Sequence, residues 1–136
     1  MAKKKILIID DHADTRLLVS TRLKKHQYDT AFAADALQAI AIARQVKPDA
    51  IVLDLALPGG NGLMVLDRLK TNTALGGIPV IILTSDESQE SELKGLEAGA
   101  AAFLHKPVQE DALLAAVEYA VGRVSQPPNT DAGLQR

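Results

Sequence analysis

Four apolar runs in this chain each end on residues equipped for chemistry. Ile6–Ile9 leads into Asp10 and Asp11, Ala50–Leu53 into Asp54, Pro79–Leu83 into Thr84 and Ser85, and Ala102–His105 into Lys106. Adjacent carboxylates repel, and burial raises the cost of ionising either one. All-oxygen donors of this kind favour Mg2+, which takes one or two carboxylates, keeps several waters and recruits phosphate oxygens. Its charge holds the acids ionised. One carboxylate can then act as a nucleophile at neutral pH and form an aspartyl phosphate. A lysine and a hydroxyl opposite it would neutralise the transferring phosphoryl group.

For these residues to meet, the runs must be strands whose carboxyl ends share an edge. Ile6–Ile9 is short, continuous and rich in β-branched residues, as a strand covered on both faces would be. Thr15, Leu18, Val19 and Leu23 follow at helical spacing. Tyr28–Ala33 forms a weaker strand, and Asp35 with Gln38 resembles a capping box opening a helix with Leu37, Ile40, Ala41 and Arg44 in series, which Pro48 and Asp49 break. After the strand Ala50–Leu53, the turn-rich Pro58, Gly59, Gly60 and Gly62 precede a helix from about Leu63 to Lys70. Beyond the fourth strand, Pro79–Leu83, a helix through Leu93 and Leu96 should stop at a left-handed Gly99. The fifth strand, Ala102–His105, precedes a last helix carrying Leu113, Val117, Ala120 and Val121 on one face. This alternation implies an α/β fold, a doubly wound five-stranded parallel sheet of flavodoxin-like type with helices on both faces. Ligands of such sheets bind at the carboxyl ends of the strands. Residues 1–123 form one domain; 124–136, with two adjacent prolines and no periodicity, read as a flexible tail or linker.

Composition narrows the function classes. The 136 residues are 47% hydrophobic but only 3% aromatic, which suits helices packed on a sheet better than a base-stacking platform. A net charge of −2 gives no electrostatic case for binding nucleic acid directly. The absence of cysteine excludes disulfides and thiolate metal sites. No apolar run approaches the ~20 residues of a membrane span, and the four-residue run after Lys3–Lys5 is too short for a signal sequence. A cytoplasmic protein without membrane contact is the expectation.

The stretches IIDD, IVLDLALPGGNG, PVIILTS and GLEAGAAAFLHKP, in this order and each at a strand end, resemble the CheY-like receiver domain of two-component response regulators over roughly residues 3–123. The resemblance implies that Asp54, followed by Pro58 and Gly62 at the family's spacing, is the phosphoacceptor. It implies Asp11 as the direct Mg2+ ligand, with Mn2+ able to substitute, and Asp10 as the acid that holds the metal largely through water. Asp54 and the backbone carbonyl of Ala56 complete the metal sphere. Thr84 matches the switch hydroxyl, Ser85 supplies an amide to the phosphate, and Lys106, of the Lys106-Pro107 pair, contacts the phosphoryl oxygens. Phe103 occupies the aromatic switch position; lacking a hydroxyl, it can switch by packing alone. Ala56 and Asp86 stand where the family tunes phosphoryl lifetime.

The implied partners are a histidine kinase or histidine phosphotransfer protein, and a downstream effector protein or a C-terminal output domain missing here. The last helix, EDALLAAVEYAV, lacks the arginines of receivers that dimerise through paired salt bridges, so a monomer or weak dimer is expected. The protein is thus expected to be a signalling switch rather than a turnover enzyme, one that catalyses its own phosphorylation and dephosphorylation. The alternative is an aspartate-nucleophile phosphatase of haloacid-dehalogenase type. That family wants DxD after the first strand, whereas this chain has DDH and no cap segment. A flavodoxin-like binding module would need a phosphate-cradling loop, and DDHADTR has no glycine and the wrong charge. Plainer readings make Asp10-Asp11 a helix cap, Thr84 the cap of the following helix, and His12 and His105 solvated surface residues, because a Mg2+ site wants oxygen rather than imidazole. On this basis Asp11→Ala should weaken Mg2+ binding far more than His12→Ala does; equal effects in a calorimetric titration would contradict it.

Overall fold

Ile6, Leu7, Ile8 and Ile9 are all essentially inaccessible to solvent, which is feasible only for a strand covered on both faces. The computed structural model describes residues 3–58 and 62–123. Gly59, Gly60 and the expected tail, 124–136, lie outside the described residues. Strands β1 (Lys4–Ile9), β2 (Tyr28–Ala33), β3 (Ala50–Leu53), β4 (Val80–Thr84) and β5 (Ala102–His105) alternate with helices α1 (Ala13–Lys25), α2 (Ala36–Val46), α3 (Gly62–Thr71), α4 (Gln89–Glu97) and α5 (Glu110–Ala120). All pairings are parallel, in the order β2-β1-β3-β4-β5.

Because side chains alternate along a strand, the sheet serves two cores. Leu7, Ile9, Ile51 and Leu53 pack with Ala39 and Ala43 of α2 and with Leu66 and Leu69 of α3. Ile6, Ile8, Val52 and Leu104 pack on the other face with Val19 and Leu23 of α1 and with Leu113 and Val117 of α5. The chain order reverses between β1 and β3, so the crevice of the sheet opens at their carboxyl ends. Asp10 and Asp54 stand immediately beyond those two ends.

Three helical faces differ from the pattern expected of the sequence. In α1, Val19 and Leu23 are buried but Leu18 is half-exposed; Ser20 is buried instead, its hydroxyl 2.8 Å from that of Thr30. In α2, the buried line is Ala36, Ala39 and Ala43, while Leu37 is 81% exposed. Small side chains let that helix lie close to the sheet, which a line of larger residues would prevent. In α4, Leu93 and Leu96 lie open to solvent and Gly95 is the buried residue. A Cβ on Gly95 would stand 2.6 Å from Ile82 Cδ1 and 3.4 Å from the Phe103 ring. The cap of α2 is as expected: Asp35 accepts from the Gln38 amide at 2.9 Å, and Gln38 reaches back to the Ala34 amide. Gly99, just past α4, has φ +107°.

Gly62 clamps the chain leaving Asp54. Its amide donates to the Leu55 carbonyl at 2.6 Å, and a Cβ there would overlap Leu55 Cα and stand 2.6 Å from the Asp54 carbonyl oxygen. Both obstacles are backbone and cannot rotate away. Gly62→Ala is expected to cost about 2–3 kcal/mol of stability, read as a lower urea midpoint; an unchanged midpoint would show that this approach is not tight.

Candidate functional site

The first residue beyond each of β1, β3 and β5 is still held by the backbone of a neighbouring strand. The Asp10 amide donates to Ala33 O at 3.1 Å, the Asp54 amide to Ile9 O at 2.9 Å, and the Lys106 amide to Thr84 O at 2.9 Å. The parallel ladder therefore continues one residue past each strand and delivers side chains distant in sequence to one edge. Asp10 and Asp54 are 2% exposed. Two carboxylates at that depth need a cation, and Lys106 provides it: its Nζ lies 2.8 Å from Asp54 Oδ2 and 2.9 Å from Asp10 Oδ2.

The two acids are satisfied alike. Each gives Oδ2 to Lys106, while Oδ1 accepts a backbone amide two residues on, from Ala56 for Asp54 (3.1 Å) and from His12 for Asp10 (2.9 Å). Burial pulls the Lys106 ammonium down, but the hydrogen bonds it donates to Asp54 and Asp10, with their charge, outweigh it and raise its pKa. Asp11 stands at the mouth, a third of its side chain exposed. Arg16 donates from Nη1 to the Asp10 carbonyl at 2.8 Å and so buttresses the turn that carries both acids.

Three carboxylates facing one ammonium leave the crevice net negative. Asp10, Asp11, His12 and Asp54 each offer a ligand atom, all within 4.8 Å of one another. That donor set fits a small divalent cation.

Both histidines depart from the expectation of plain surface residues. His12 is 60% exposed, yet its Nδ1 lies 3.1 Å from Asp10 Oδ1 and 3.2 Å from Asp11 Oδ1. It is also the N-cap residue of α1, and its side chain makes no capping bond. His105 is partly buried, with its ring edge-on to Phe103 at 5.4 Å between centroids. Thr84 does not cap α4. Its hydroxyl accepts from the Asp86 amide at 3.3 Å, and Ser88 caps the helix by accepting from Ser91 N. Hydrogen bonds from Ser91 and Ser88 hold the Asp86 carboxyl below the usual carboxylate range. Ser85 is exposed and Phe103 fully buried. Pro107 follows Lys106 through a cis peptide. The sequence reading missed Arg16 and the Asp86–Ser88–Ser91 cluster. Arg16 binds a main-chain carbonyl, which no pairing of residue types announces.

Residues 6–118 match the response regulator receiver domain family. The chain is 35% identical to the phosphate regulon transcriptional regulatory protein PhoB of Pseudomonas aeruginosa over 99% of its own length. It spans only 58% of PhoB. Protein PilH of the same organism is 34% identical, covering 81% of the chain and 91% of PilH. Among solved structures, chemotaxis response regulator CheY4 of Vibrio cholerae superposes with a TM-score of 0.80 at 28% identity, covering 87% of this chain and 98% of that one. A response regulator from Chloroflexus aurantiacus reaches 0.84 at 26% identity, over 89% and 99% of the two chains. These matches give no support to the haloacid-dehalogenase alternative.

Lys106→Ala would leave two buried carboxylates facing each other. Removing one partner of such a buried pair costs on the order of 3 kcal/mol, so without divalent ions the thermal midpoint should fall. Added Mg2+ should stabilise Lys106→Ala more than it stabilises the native chain; equal gains would contradict the charge balance described here.

Proposed function

The chain belongs to the family of response regulator receiver domains, and from that premise we propose that it is a phosphorylation switch whose acceptor is Asp54. The observation that carries the proposal is the buried Asp54 carboxylate, held by one ammonium and one amide and facing two further acids. A partner histidine kinase or histidine phosphotransfer protein presents phosphohistidine. An Asp54 oxygen attacks phosphorus; the O–P bond forms and the P–N bond breaks. The electron pair stays with the departing imidazole, which takes a proton from solvent.

Asp10, Asp11, Asp54 and the Ala56 carbonyl would hold Mg2+, or Mn2+ in its place. Bound there, the metal supplies positive charge to the phosphoryl oxygens. Lys106, already within reach of Asp54 Oδ2, follows the charge as it moves onto phosphorus. The Ser85 amide is a further donor at the same edge. Together these groups let the domain catalyse its own phosphorylation and later dephosphorylation, without being a turnover enzyme.

Output follows from Thr84. Its 3.3 Å bond to the Asp86 amide is weak enough to be exchanged for a phosphoryl oxygen. Asp86 is tied to the first turn of α4 through Ser88 and Ser91, so a shift at Thr84 is transmitted to that helix. Gly95 seats α4 directly on Phe103 and Ile82, and Phe103 repacks without any hydroxyl to anchor it. The surface formed by α4, β5 and α5, with Leu93 and Leu96 exposed, then receives an effector protein or an output domain. Among the described residues no helix is long and apolar enough to cross a membrane. We place the domain in the cytoplasm as a monomer or weak dimer, with 1–123 as the receiver, 124–136 as tail or linker, and no direct contact with nucleic acid.

Intact mass after exposure to a small phosphodonor with Mg2+ tests this reading. One phosphoryl group should add to the native chain and none to Asp54→Ala; equal labelling of both would refute the assignment of Asp54.

A further inference from the structure

We infer that His12 is an additional ligand of the divalent-cation site and shifts its preference from Mg2+ toward ions that favour nitrogen. This rests on the reading of Asp10, Asp11 and Asp54 as metal-binding residues and departs from the all-oxygen site expected of the sequence. The imidazole Nδ1 lies 3.1 Å from Asp10 Oδ1 and 3.2 Å from Asp11 Oδ1. Neighbouring donors on an octahedral ion with bonds of ~2.1 Å are ~3.0 Å apart, so Nδ1 stands at ligand spacing from each of the two oxygens, within a set whose ligand atoms all lie inside 4.8 Å. The ring is committed to that set: its own amide is anchored on Asp10 Oδ1, and its side chain makes no capping bond to α1. With the imidazole proton on Nε2, the Nδ1 lone pair is the donor.

The identity of the ion decides what this nitrogen contributes. Mg2+ is hard and oxygen-seeking and gains little from imidazole, whereas Ni2+ and Co2+ gain substantially. Carboxylates alone also bind Ni2+ more tightly than Mg2+. The diagnostic quantity is therefore the change in the ratio of the two affinities when His12 is replaced. If the ring only braced Asp10 by hydrogen bonding, its loss would weaken both ions equally.

Calorimetric titration of the full chain with MgCl2 and with NiCl2, in native, His12→Ala, His12→Asn and Asp11→Ala proteins, separates these cases. His12→Ala should weaken Ni2+ binding about tenfold or more and Mg2+ binding less than twofold. His12→Asn keeps a short polar group but no imidazole nitrogen and should behave like His12→Ala. Equal losses for the two ions, or unchanged Ni2+ binding, would overturn the assignment of His12. In both of those outcomes Asp11→Ala still weakens both ions. If Asp11→Ala leaves Mg2+ binding intact, the acidic site itself is misassigned, and the role of His12 falls with it.

Discussion

The ammonium of Lys106, set between Asp54 and Asp10, is the interaction on which this molecule depends. It pairs two carboxylates that are otherwise buried at the bottom of a crevice. One lysine cannot balance three acids, however, and the remaining negative charge suits the crevice to a divalent cation. Stability and chemistry are thus set against each other at one point. The site is held together by a cation too few, and on the proposed function a metal and then a phosphoryl group would complete it.

The fold works as a jig for that point. Asp10, Asp54 and Lys106 each sit one residue past a strand, and each is tied to the next strand by a backbone hydrogen bond. Their spacing is therefore set by the sheet rather than by loops. The Thr84 hydroxyl, by contrast, has a single long bond to an amide, and α4 rests on the sheet through a glycine contact and a capped first turn. On the proposed function, a rigidly placed acceptor beside a weakly held hydroxyl is what a two-state device requires.

Much of this was legible in the sequence, because strands buried on both faces read as uninterrupted apolar runs and end abruptly at charged residues. The runs before Asp10 and Asp54 gave both the strand and its terminus. Helical faces were harder to read. Leu37 outweighs the neighbouring alanines in any hydrophobic pattern, yet the alanines face the sheet because only they allow close approach. Leu93 and Leu96 misled in the same way, since their helix packs through Gly95. At the site, residue types announced the acids and the lysine. They did not announce Arg16, whose partner is a backbone carbonyl, or His12, whose engagement depends on the turn made by Asp10.

The central claim is that, of three acids in one crevice, Asp54 alone carries the phosphoryl group. Borohydride reduction of the phosphorylated chain, which converts an aspartyl phosphate to homoserine, followed by peptide mapping, tests it most directly. Homoserine at position 54, with Asp10 and Asp11 unchanged, is the predicted result. Homoserine at position 10 or 11, or at none of the three, would contradict the account.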